Sequence, residues 1–110
     1  MTLEEIGKRA GQAADLIHGL VYSGDELRGP RDDLHEDDVE LLLRVERLLG
    51  TVEDMLSPGI GEPNPEGLRA LREARDLQER VPQWRLPDND AKRDFAYARR
   101  LIDNSLVAAA

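Results

Sequence analysis

Apolar residues spaced three and four apart constrain this chain more than any other feature. Leu3, Ile6, Ala10, Ala13, Ile17 and Leu20 keep that rhythm, which on a helix lines them along one face. Leu41, Val45, Leu48, Val52 and Met55 repeat it, and Leu42, Leu49 and Leu56 run alongside. A second helix therefore has an apolar face wide enough to touch at least two neighbours. Leu68, Leu71, Ala74, Leu77 and Val81 mark a third, and Ala91, Phe95, Ala98 and Ile102, with Leu101 and Leu106 beside them, mark a fourth. The pattern predicts an all-α fold, a small antiparallel bundle of about four helices near residues 3–22, 34–56, 65–81 and 89–107, forming a single domain over 1–110.

The punctuation between stripes agrees. Thr2 followed by Glu5 is a capping box for the first helix, and Asp33 followed by Glu36 repeats it for the second. Glu36, Asp37 and Asp38 then place negative charge at the positive end of the helix dipole. Ser23-Gly24-Asp25 and Gly29-Pro30 are turn chemistry, and Ser57-Pro58-Gly59 stops the second helix. Asn64 and Pro65 suit the start of the third. Pro82 and Pro87 bracket Gln83-Trp84-Arg85-Leu86, read as an extended connector before a helix starting near Asp88 to Asp90. Gly7 and Gly11, with Ala14 nearby, weaken the first helix but admit close approach of another. Arg69 with Glu73, Arg72 with Asp76, and Arg75 with Glu79 stand four apart and predict a solvated, charge-laced surface.

Composition narrows the function classes. With 23 acidic against 15 basic residues, a formal net charge of −8 repels phosphate backbones and anionic lipid, so neither nucleic acid nor a membrane is expected as a partner. No apolar run approaches a membrane span, and the N-terminal residues do not read as a signal peptide. The absence of cysteine excludes disulfides, thiolate zinc sites and cysteine nucleophiles, and fits the cytoplasm.

Chemistry-bearing patterns are sparse. Asp15-Leu16-Ile17-His18 and Asp32-Asp33-Leu34-His35 space a carboxylate and an imidazole as metal ligands on one helix face, but with no inward glutamate to bridge ions both histidines are expected at the charged surface. Gly59-Ile60-Gly61 lacks the basic residue of a phosphate-cradling loop, and no Ser-His-Asp set can be assembled. No catalytic residue and no cofactor is assigned. Asp37-Asp38-Val39-Glu40 and Glu73-Ala74-Arg75-Asp76 resemble the Glu-x-x-Glu and Glu-x-x-Asp pairs of small all-α nucleotide pyrophosphohydrolases. That resemblance implies an alternative, an Mg²⁺-dependent enzyme with Glu40, Glu73 and Asp76 as its metal ligands. The acidic run from Asp25 to Glu40 offers another, a mimic that occupies a basic protein. The chain lacks the Trp-x-Gly turn of secreted helical hairpins. Its end, Leu106-Val107-Ala108-Ala109-Ala110, resembles tails taken by bacterial unfolding proteases.

The preferred reading is a non-enzymatic helical interaction module or small subunit of a protein complex, binding a protein partner or itself. Trp84 is expected to fold over the open end of its own bundle. If instead it faces outward, Trp84, Arg85 and Leu86 form the partner-binding spot, because Trp and Arg are enriched at interface hot spots.

Overall fold

The computed structural model describes residues 1–23 and 25–109, with Glu26 described by its backbone only. It places four α-helices along the chain: α1 Leu3–Tyr22, α2 Glu36–Leu56, α3 Gly67–Gln78 and α4 Asn89–Ala109. Short 3₁₀ turns at Glu26–Arg28 and Gln83–Arg85 interrupt the first and third connections.

Each helix begins and ends for a local reason. The Thr2 hydroxyl accepts from the Glu5 amide at 3.2 Å, as the capping pattern requires. Ser23 enters the left-handed region at φ 51°, and its amide donates to the Gly19 carbonyl at 2.8 Å to close α1. Ser57 leaves helical geometry because Pro58 disfavours it, and Gly59 and Gly61 supply the positive φ angles of the reversal. Asn64 accepts from the Glu66 amide at 3.0 Å ahead of α3, and Asp88 accepts from the Ala91 amide at 2.8 Å at the start of α4. Of the C-terminal tail, Leu106 to Ala109 continue α4, and Ala110 lies outside the described residues, as does Gly24 of the first turn.

The helices form a ring in which α1 contacts α2 and α4, and α3 closes the circle between α2 and α4. Successive helices α1, α2 and α3 are antiparallel: Gly7 meets Ser57 and Gly11 meets Glu53, so the start of α1 lies beside the end of α2, and Gly67 at the start of α3 meets Leu56 at that same end. Leu42, Val45, Leu49, Val52 and Leu56 are the fully buried seam of α2, while Leu41, Leu48 and Met55 are half-buried on its flank. The second helix thus packs on two neighbours, α1 and α3, as its wide apolar face predicts, but it is one side of the ring and not its centre.

The close approach that Gly7 and Gly11 admit is realised. A Cβ on Gly7 would lie 2.8 Å from both Ser57 Cβ and the Ser57 backbone nitrogen, so only glycine lets the two chains meet there. At Gly11 a Cβ would overlap the Glu53 carboxylate, the far end of a side chain that can move aside. The α3–α4 side is the sparsest of the four seams. Gln78, buried beneath it, donates to the Phe95 carbonyl at 3.1 Å.

Four expectations are corrected. The cap of α2 is His35, which accepts from the Asp37 amide at 3.2 Å, because Asp33 is engaged by Arg31. The third helix stops at Gln78, and Val81 reaches the core from the turn that follows. The connector is a 3₁₀ turn and not an extended strand. On α3, the pairs four apart do not form. Arg69 pairs with Glu66 at 3.7 Å and Arg75 with Asp76 at 3.5 Å, all at the exposed surface where geometry is weakly held.

Candidate interaction site

At one end of the bundle, two arginines tie the loops to the helices. Arg31 grips Asp33 through two bonds of 2.9 Å and reaches Asp88, the cap of α4, at 2.6 Å. Arg85, in the 3₁₀ turn, holds Asp38 in the first turn of α2 through a fork of 2.8 and 2.6 Å. Asp38 is only 1 % exposed, so its charge depends on that guanidinium for compensation. Leu86 is buried in the core directly after the turn, and Gln83 donates to the Lys92 carbonyl at 3.4 Å before it.

Trp84 sits between these anchors and is 78 % exposed, which corrects the expectation that it covers its own bundle. The three residues singled out from the sequence therefore do not share one surface. Trp84 faces solvent, Arg85 is committed to Asp38, and Leu86 belongs to the core. Sequence reasoning read Asp38 only as a charge at the helix start and passed over Arg31, yet these residues fix this end.

The clamp perturbs its own ionisation. Hydrogen bonds to Asp33 and Asp88 hold the Arg31 proton more firmly than usual, and the same contact with Arg31 pulls the Asp33 carboxyl below its ordinary range. Asp88 is lowered by the Ala91 amide first and Arg31 second, and the hydrogen bond to Asp38 raises Arg85. Carboxyls depressed in the folded state stabilise it above their unfolded pKa, about 4, and that contribution disappears as pH falls through their lower folded values. Urea midpoints should accordingly drop as pH is taken from 4 toward 2, about the usual carboxylate range. Arg31→Ala should shrink that drop; an unchanged acid response in the variant would exclude the clamp as its source.

Elsewhere the carboxylates do not converge. Glu40, Glu73 and Asp76 are exposed on α2 and α3, and among the described residues no three His, Asp or Glu side chains are grouped to hold a metal ion. Glu73 borders a depression of about 240 Å³ whose other walls include Arg44 and Arg47, so a cation there would compete with two guanidinium groups. His18 lies within 2.5 Å of Glu46 on the neighbouring helix and stacks near Tyr22, with ring centroids 4.7 Å apart. His35 is spent on capping.

A shallow groove of about 500 Å³ runs between α1 and α4, lined by Gln12, Asp15, Leu16, Gly19, Asp94 and Tyr97. Among the described residues no helix is long and apolar enough to cross a membrane. Compared with known protein families, curated proteins and solved structures, the chain matches none.

Proposed function

We propose that the protein is a non-enzymatic helical interaction module, a small cytoplasmic subunit that binds a protein partner through the loop end of its bundle with Trp84 as the central contact. The observation that supports this reading is an indole left in water on a turn that is fixed by the two residues after it. Burying a large apolar side chain is worth roughly 1.5–3 kcal/mol, a gain the monomer forgoes at this position. Because Arg85 and Leu86 already hold the turn, little conformational freedom remains to be lost on binding. Arg85 and Leu86 then act as anchors behind the contact residue. The charge of −8 disfavours nucleic acid as the partner.

An aromatic photo-cross-linking residue, which keeps a large ring at the contact, placed at position 84 in expressing cells tests this. Discrete adducts are expected there and not from the same residue at position 60, where Ile60 is even more exposed on a different loop. Native mass spectrometry should show that Trp84→Ala loses the complex while its thermal unfolding matches wild type. No discrete adduct at 84, or a complex that survives the alanine, overturns the reading.

A further inference from the structure

The groove between α1 and α4 continues toward the start of α1 into a second depression lined by Glu5, Lys8, Arg9, Gln12, Tyr97 and Leu101. Gln12 and Tyr97 line both, so the two form one trough with an apolar middle. Its ends differ in charge. Asp15 and Asp94 stand at one end, while Lys8 and Arg9, with Glu5, stand at the other. Tyr97 is half-exposed and Leu16 half-buried at the centre. Among the described residues, Lys8, Arg9 and Asp15 form no ion pair within the chain.

We propose that this trough is the interface of a two-fold homodimer in which the α1 helices of two copies lie antiparallel. A surface acidic at one end and basic at the other is complementary to itself after a two-fold rotation, the condition an isologous contact must meet. With the axis passing between Gly11 and Gln12, Lys8 stands opposite the partner's Asp15, and the same pair recurs across the axis. Glu5 then falls opposite the partner's His18 and Gly19. Tyr97, of a residue type enriched at hot spots, lies near the axis. Gly19 leaves open space at the acidic end: a Cβ there meets nothing within 4 Å, so no packing inside the monomer requires glycine. Trp84 does not line the trough, so the dimer leaves the proposed partner contact available.

Sedimentation velocity across a concentration series tests the dimer by charge exchange. The wild type should sediment as a dimer. Lys8→Asp and Asp15→Lys should each weaken association about tenfold or more, since one reversal creates two like-charge contacts. The double variant should restore the wild-type constant. Gly19→Leu, placed in space the monomer leaves open, should block association while circular dichroism shows the wild-type helix content. Trp84→Ala should leave the dimer intact, which separates this test from that of the partner contact. A monomer at all concentrations, or a double variant no better than either single one, overturns the proposal.

Discussion

Phe95→Ala should lower the free energy of unfolding by about 3–5 kcal/mol, a large share of the roughly 5–15 kcal/mol that holds a domain of this size together. Phe95 is the only phenylalanine and is 2 % exposed, surrounded by a core that is otherwise aliphatic and alanine-rich. Truncating it removes a ring that no neighbouring aromatic can replace. The gap would open beside α3, which already packs on α2. The Gln78 bond to the Phe95 carbonyl further fixes the distance between α3 and α4 and limits collapse. Urea unfolding followed by circular dichroism gives the measurement, with Phe95→Leu as the milder comparison. A loss below about 1 kcal/mol for the alanine variant would mean that the site relaxes and that the α3–α4 seam is not rigid.

The parts of the fold that depend on periodicity were legible, and the parts that depend on long-range polar contacts were not. The ranges of α1 and α4 follow from their stripes and from Thr2 and Asp88, whose capping partners lie within three residues. The start of α2 misleads because Asp33 and Glu36 have the spacing of a capping box. The competing partner, Arg31, is also bonded to Asp88 across 57 positions, a contact that local spacing cannot encode. Trp84 misleads in a similar way. Average burial of tryptophan favours an inward position, but the turn's orientation is decided by Leu86 entering the core and Arg85 reaching Asp38, which leaves the residue before them outside.

Two polar residues did leave a signal. Asp38 falls one helical turn before Leu42 on the buried seam of α2, and Gln78 falls one turn after Ala74 on the inner face of α3. A polar side chain on an apolar stripe demands partners: Asp38 is met by Arg85, and Gln78 is met through its Nε2 while its Oε1 stays unpartnered. For Asp38 the nearby acidic run disguised this, since a carboxylate in the first turn is already explained by the dipole. The α1–α4 trough had no such mark, because its walls combine exposed charged positions with the edge of an ordinary stripe.

The buried pair predicts an asymmetry between its two halves. Asp38→Ala removes the carboxylate and leaves Arg85, whose side chain is 34 % exposed and can turn toward water. The cost should be about 1–2 kcal/mol, the scale of charge-assisted hydrogen bonds moderated by that exposure. Arg85→Ala instead strands a carboxylate that is 1 % exposed, with its counter-charge gone, and should lower the urea midpoint further than the aspartate variant does. Replacing both with leucine should recover most of the loss, because neither a buried charge nor an unpaired donor then remains. Trp84, the only tryptophan, reports the local consequence directly. Its fluorescence anisotropy should fall in either single variant, as the turn that carries it loses its tie to α2. If the tie is what presents the indole, Arg85→Ala should also weaken cross-linking at position 84 under conditions where the bundle remains folded. An Arg85→Ala protein with wild-type midpoint and anisotropy would show that Leu86 and the flanking prolines alone hold the turn, and the role of the Asp38–Arg85 pair in presenting Trp84 would have to be abandoned.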